Sequence, residues 1–176
     1  ENGPGVVASS GGRDFGSFLG ALGQLGYSVA YRVLDAQHFG VPQRRRRVFV
    51  VGHLGDWRRA AAVLFERQTA GLASKDGPNA TLLPPFAYRL CQSGLRAYPV
   101  FPSLKTVAVG EGVALPALRK ITPLECERLQ GFPDDWTKVT ATTKDGPRYK
   151  AIGNSMAVPV MRWIGEGIAA VSSLSP

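Results

Sequence analysis

A chain of 176 residues is long enough for one domain, or for one small domain with part of another, and 44% hydrophobic residues suffice for a core. A formal net charge of +8 favours an anionic partner, nucleic acid before membrane. No apolar run approaches the roughly 20 residues of a membrane span, residues 1–12 lack the apolar core of a signal peptide, and two cysteines make neither a disulfide framework nor a metal set. That usage suits a reducing, cytoplasmic setting. The chain begins at Glu rather than Met and is expected to be a piece of something longer.

In chain order, residues 3–13 are Gly- and Ser-rich and read as a loop. Asp14 can cap a helix whose Phe15, Phe18, Leu19, Leu22 and Leu25 share one face. Gly16, Gly20 and Gly23 lie inside it, each costing about 1 kcal/mol against Ala. The helix therefore needs tertiary support, expected as close packing on a sheet. Gly26 suits its C-terminal end. Tyr27, Val29, Tyr31 and Val33 alternate with Ser28, Ala30 and Arg32, which predicts a strand. Residues 36–46 form a loop, and residues 47–53 form the next strand, with a hairpin-like pairing of the two.

Arg44, Arg45, Arg46 and Arg47 run directly into Val48-Phe49-Val50-Val51. Val48 and Val50 point one way and Phe49 and Val51 the other, the pattern of a strand buried on both faces. An unpaired buried guanidinium is costly, so the arginines belong at the mouth of the core, at the edge of a cleft. The plainer reading, a solvated or nucleic-acid-binding tail, fits poorly with fusion to a core strand.

Residues 56–65 predict a short helix. Residues 66–118 carry Asp76-Gly77-Pro78-Asn79, Pro84-Pro85, Pro99, Pro102, Gly110, Gly112 and Pro116, so regular elements there must be short. Arg89, Arg96 and Lys105 stand among Phe86, Tyr88, Tyr98 and Phe101. Basic residues among aromatics suit DNA contact, and a small β-rich subdomain is the alternative from composition alone. Thr122 as N-cap, Pro123 at N1 and Glu125 at N3 make a capping box, with Ile121 and Cys126 as a hydrophobic staple. Gly131 ends that helix, and Pro133 prevents its return. Cys126 reads as a small core residue. Residues 138–147 read as polar with a turn at Asp145-Gly146-Pro147, followed by the basic and aromatic Arg148, Tyr149 and Lys150. Gly153-Asn154-Ser155 then leads into a helix bearing Val158, Met161, Ile164, Ile168 and Val171, with Pro159 in its first turn. Such a turn at a helix N-terminus offers N–H groups and an amide to an anion, or is a plain cap.

Three blocks in order carry a family resemblance. Pro42-Gln43-x-Arg45-x-Arg47-Val48-Phe49 resembles motif VIII of the DNA (cytosine-5-)-methyltransferases, Ile121 to Pro133 resembles motif IX, and Gly153-Asn154-Ser155-Met156-Ala157-Val158-Pro159-Val160 resembles motif X. Glu1-Asn2 resembles the end of motif VI, with Gly3 where the family usually has Val. The resemblance implies an α/β fold: the C-terminal part of a Rossmann-like S-adenosylmethionine-dependent sheet plus a small, mostly β target-recognition domain. Residues 1–56 are then late catalytic-domain elements, 57–147 the target-recognition domain including motif IX, and 148–176 the motif X helix returning to the catalytic domain.

The same resemblance implies transfer of a methyl group from S-adenosylmethionine to C5 of cytosine in duplex DNA, by covalent catalysis on a flipped-out base. It implies that Glu1 is the partner of cytosine N3 and that Arg47 reaches the base O2. Arg45 and Gln43 would order the loop and a nearby phosphate. Arg89, Arg96 and Lys105 fall in the segment where the family carries its DNA-recognition region, and Asn154 and Ser155 fall beside the cofactor pocket. Arg128 is open to two readings, a phosphate contact or a solvated side chain. The family's nucleophile sits in a Pro-Cys motif upstream of motif VI, and no Pro-Cys occurs in this sequence. Leu90-Cys91-Gln92 lacks the Pro and lies after motif VIII. The Gly-rich cofactor loop is also absent, and Gly110-Glu111-Gly112 has no apolar strand leading into it. The expected partners are double-stranded DNA and an N-terminal half carrying the loop and the cysteine. A non-catalytic DNA-binding module that keeps only the recognition surface is the alternative.

Overall fold

The computed structural model describes residues 1–65, 87–91, 94–98, 111–114 and 118–173, with the strands at 87–118 described by backbone alone. The chain forms two compact units, one of residues 1–35, 46–71 and 162–176, the other of residues 36–45 and 72–161.

In the first unit, β1 (Tyr27–Asp35) and β2 (Arg46–Leu54) pair antiparallel, from Tyr27 opposite Leu54 to Asp35 opposite Arg46. Alternation gives the ladder two apolar faces. Helix α1 (Arg13–Gln24) meets one face through Phe15, whose ring stands edge-on to Tyr31 at 5.1 Å. Helix α2 (Trp57–Leu64) is capped by Asp56, which accepts from the Arg58 N–H. Arg32, on the opposite face from Tyr31, donates to the Leu64 carbonyl at 2.7 Å and lies over the Phe65 ring. Val48 and Phe49 are both buried, while Val50 and Val51 are only half-buried, so the expected two-sided burial holds at the start of the strand alone.

Three expectations for this unit change. Residues 4–12 form 3-10 turns rather than plain loop, broken at Ser9 to Gly11. Asp14 does not cap α1: the helix starts at Arg13 behind a left-handed Gly12, and the Asp14 carboxylate accepts from the Ser9 and Ser10 hydroxyls at 2.7 Å. Three successive left-handed residues, Ser10, Gly11 and Gly12, set the helix start, which a side-chain cap would otherwise do. Nor do Gly16, Gly20 and Gly23 mark close packing, since a Cβ there would meet nothing within 4 Å.

The second unit holds an antiparallel sheet in the order β4-β3-β5-β6, from β3 (Ala87–Cys91), β4 (Gly94–Tyr98), β5 (Glu111–Ala114) and β6 (Leu118–Lys120). Helix α3 (Pro123–Gln130) follows, then α4 (Asp145–Asn154), and Ile121, Cys126, Leu129 and Ile152 form a buried cluster with Tyr149 against it. The capping box is as expected: the Thr122 hydroxyl accepts from the Glu125 N–H, and the Glu125 carboxylate accepts from the Thr122 N–H. Gly131 closes α3 at φ 77°, and a Cβ there would lie 2.7 Å from the Pro159 ring, so both the conformation and the space require glycine.

Asp145-Gly146-Pro147 is not a free turn but the first turn of α4, where the fixed φ of proline is suited to a helix start. Consequently Asn154 is the last residue of α4 and Ser155 its C-cap, so the Gly-Asn-Ser turn lies at a helix C-terminus, contrary to expectation. Helix α5 (Val158–Ser172) begins three residues later with Pro159 in its first turn, as the sequence predicts.

Glu125 also receives both arms of the Arg119 guanidinium, at 2.5 and 2.9 Å. Those hydrogen bonds, opposed by burial and aided by Thr122, hold its carboxyl at about 2. A depressed carboxylate contributes fully above its unfolded value of 4.5, and the contribution fades as pH falls toward 2. Chemical denaturation from pH 6 to pH 2 should therefore show a steeper loss for the native chain than for Glu125→Gln. Thr122→Ala should cost about 1 kcal/mol at any of these pH values.

Candidate active site and its comparison with known proteins

The arginine run alternates. Arg44 and Arg46 are exposed, Arg47 is half-buried and Arg45 is buried at 4% exposure. In the first unit, Asn2 bridges Val48 through two backbone hydrogen bonds of 3.0 and 2.8 Å. That bridge brings Glu1 beside the start of β2, where its carboxylate meets the Arg47 Nε at 3.0 Å. Arg47 Nη1 also donates to the Arg46 carbonyl, which fixes the plane of the guanidinium. The two side chains are 23% and 16% exposed, so the pair is shielded but open to a ligand. A carboxylate and a planar, permanently charged fork at hydrogen-bonding distance suit one edge of a heterocycle bearing both an acceptor and a basic ring nitrogen. The resemblance thus named two residues 46 positions apart that the fold brings together.

Gln43 and Arg45 lie in the second unit. Gln43 is fully buried, and neither polar atom of its amide has a hydrogen-bond partner among the described residues. Arg45 Nη2 donates to the Ser155 carbonyl at 2.6 Å and is 3.5 Å from the Gly153 carbonyl. A guanidinium at the last carbonyls of α4 is favourable to the helix dipole. Gln130 Nε2 and the Ser155 hydroxyl both donate to the Ile152 carbonyl at 2.6 Å. Arg45 and Gln130 therefore brace the turn that carries Asn154 and Ser155. Gln43 and Arg45 are thus both buried within this unit.

Asn154 is exposed and Ser155 half-buried, with the Ser155 hydroxyl proton engaged by the Ile152 carbonyl and the Ser155 carbonyl by Arg45. The turn carries a carboxamide and a hydroxyl, groups whose chemistry fits one polar end of S-adenosylmethionine. Arg89 sits opposite Arg96 in the β3–β4 register and opposite Glu111 in β3–β5. Lys105 lies outside the described residues. Arg128 is exposed and paired with Asp134 at 2.5 and 2.7 Å, which leaves it neither solvated alone nor open to a phosphate without exchange. Among the described residues no group of three His, Cys, Asp or Glu could hold a metal, and no helix is long and apolar enough to cross a membrane.

Sequence reasoning missed a buried ion pair. Glu127, at 0% exposure, accepts from Arg148 at 3.1 Å, from the Thr137 N–H at 2.8 Å and from the Thr137 hydroxyl. Arg148 also reaches Asp135 at 2.9 Å. Burial alone would push the Glu127 carboxyl up, but Thr137 and Arg148 hold it below the usual range. A signal existed: Glu127 falls one residue after Cys126 and two before Leu129, on the face of α3 that the apolar spacing turns inward.

The motif blocks and the fold together point to one family. The chain belongs to the C-5 cytosine-specific DNA methylase family, which it matches over residues 1–82 and 99–170. It is 31% identical over 186 residues to the Type II methyltransferase M2.BsuMI of Bacillus subtilis, covering 96% of this chain and 47% of that protein. It is 32% identical over 191 residues to M.NlaX of Neisseria lactamica, covering 93% and 60% respectively. The chain thus spans about half the length of the relatives it matches. The S. pombe Dnmt2 methyltransferase shares its fold at a TM-score of 0.63 and 16% identity, over 92% of this chain and 62% of the other.

Proposed function

We infer that this chain is the C-terminal half of a DNA cytosine-5 methyltransferase that transfers a methyl group to C5 of a cytosine flipped out of duplex DNA. The Glu1–Arg47 pair carries the reading, because it supplies the acidic and cationic partners that a flipped cytosine needs, 3.0 Å apart on a rigid strand end. Glu1 holds a proton shared with N3 of the base, and Arg47 donates to O2, so the ring is polarised toward addition at C6. Both contacts also offset the few kcal/mol of unstacking.

S-adenosylmethionine, when bound, supplies the methyl group. Asn154 and Ser155 hold one polar end of it, and Arg45, ordered with Gln43 in the motif VIII loop, fixes their turn. Residues 57–147 form the target-recognition domain, where Arg89, Arg96 and Lys105 meet DNA. The thiolate that adds to C6 comes from an N-terminal half outside this sequence, which also carries the cofactor loop.

The test is methyl transfer from labelled S-adenosylmethionine to mixed-sequence DNA. The chain alone should give background counts, and addition of the portion of M2.BsuMI that it does not match should give incorporation. Counts from the chain alone that vanish in Cys91→Ser would overturn the assignment of the nucleophile to residues outside this sequence. The chain alone should still bind DNA, with an affinity falling on a log–log salt plot by about 0.9 per phosphate neutralised. A flat plot would count against any DNA-contacting role.

A further inference from the structure

Residues 40–45 alternate in burial. Val41, Gln43 and Arg45 are 6%, 0% and 4% exposed, while Gly40 and Arg44 are exposed and Pro42 is half-buried. Alternate residues of an extended segment share a side, so these three face the body of the second unit together. Val41 abuts the end of α3, where a Cβ on Gly131 would lie 3.4 Å from its Cγ1. Arg45 reaches the Ser155 carbonyl, just past the end of α4, at 2.6 Å. Gln43 stands between the two, beside the place where the end of α3 meets the last turn of α4.

Gln130 occupies that place. Its Nε2 donates to the Ile152 carbonyl at 2.6 Å, and a carbonyl can be faced only by the NH2 end of an amide. Its Oε1 is thereby turned away, buried and without a hydrogen-bond partner among the described residues. The same is true of both Nε2 and Oε1 of Gln43. Two glutamines at 0% exposure thus leave three polar atoms orphaned in one small region. Each would forfeit the hydrogen bonds it makes to water in the unfolded chain, a loss that a leucine at either position would not incur. Internal water removes such a loss where about two to four polar partners converge on it.

We propose that the second unit holds an internal water site between Gln43 and Gln130. The water accepts from Gln43 Nε2 and donates to Gln130 Oε1. It completes a chain of hydrogen bonds from the segment 41–45 through Gln130 to the Ile152 carbonyl, which also accepts from the Ser155 N–H at 3.1 Å and the Ser155 hydroxyl at 2.6 Å. Gln43 and Gln130 are then positioning residues for the turn bearing Asn154 and Ser155, and neither touches the cofactor. That consequence rests on the proposed function, which puts S-adenosylmethionine at this turn.

The first test is a crystal structure of the full chain. Density for a water within hydrogen-bonding distance of both amides is the expected result. A direct Gln43–Gln130 hydrogen bond, or apolar side chains closed over both amides, would overturn the site. Magnetic relaxation dispersion of the solvent gives an independent reading. Gln43→Leu should lose a long-lived water that the parent keeps, and equal counts in the two would reject the site.

The second test is a double-mutant cycle in urea denaturation with Gln43→Leu, Gln130→Leu and the pair. A shared water makes the second loss smaller once the first partner has gone, by about fivefold or more in the unfolding equilibrium constant. Additive losses would reject the sharing. The third test separates the water from its role. In the complemented enzyme, Gln43→Leu should raise KM for S-adenosylmethionine about fivefold while lowering kcat by less. An unchanged KM would reject the positioning role even with the water present. A complemented parent that transfers no methyl group would count against the proposed function instead, and the density and the cycle would still decide the water.

Discussion

Arg47→Ala in the complemented enzyme should lower kcat by about 10²–10³, the usual loss when a donor to a reacting group is removed. Arg44→Ala and Arg46→Ala should stay within a few-fold of the parent. The reason is geometric: Arg47 meets Glu1 at 3.0 Å at the start of β2, while Arg44 and Arg46 are exposed. Arg47→Lys should recover only part of the loss, because an ammonium cannot keep both the Glu1 carboxylate and the Arg46 carbonyl in one plane. DNA affinity should fall only modestly, since phosphate contacts elsewhere carry most of it. Single-turnover rates with saturating DNA separate the two quantities. Equal losses at all the arginines would mean that the run is a generic basic patch.

Arg148→Met should be the most destabilising single change in the second unit, at about 3–5 kcal/mol in urea denaturation. It leaves the Glu127 carboxylate wholly buried with hydrogen bonds from Thr137 and no cation. Replacing both partners, Glu127→Leu with Arg148→Met, should recover most of that loss, because the desolvation cost of the pair disappears along with its attraction. A pH dependence distinguishes this cause from simple loss of packing. Without Arg148, burial is opposed by the Thr137 hydrogen bonds alone, so the folded Glu127 carboxyl titrates higher than in the native chain, and the deficit should shrink as pH falls and the buried group becomes neutral. A deficit independent of pH would point to packing instead. The pair joins α3 to α4, and α4 ends in the turn bearing Asn154, so a milder replacement such as Arg148→Lys should also weaken S-adenosylmethionine binding in the complemented enzyme.

Local chemistry was legible in the sequence wherever neighbours in the chain settle the outcome. The capping box of α3 involves Thr122 and Glu125, three residues apart, and needs no distant partner. The same holds for Asp56 at the start of α2, for Gly131 at the end of α3, and for the alternation that makes β1 and β2 strands. Cys126 reads correctly as a core residue for the same reason. Asp14 misled because a left-handed run from Ser10 to Gly12 set the start of α1 two residues earlier and left its carboxylate to Ser9 and Ser10.

The tertiary structure decided which of the adjacent arginines does what. Four identical side chains in a row carry no local distinction, and the split arises from what each meets. Arg47 meets a carboxylate 46 residues away, and Arg45 meets the carbonyls of a turn 108 and 110 residues away. The burial of Glu127 and Gln130 was hidden for a related reason. A charged or amide side chain enters a core only when distant groups satisfy it, here Arg148, Thr137 and the Ile152 carbonyl. The motif blocks were enough to show the family resemblance and to single out Glu1 and Arg47, but not that the two side chains meet. The brace on the motif X turn exists only once chain segments far apart in sequence are packed together.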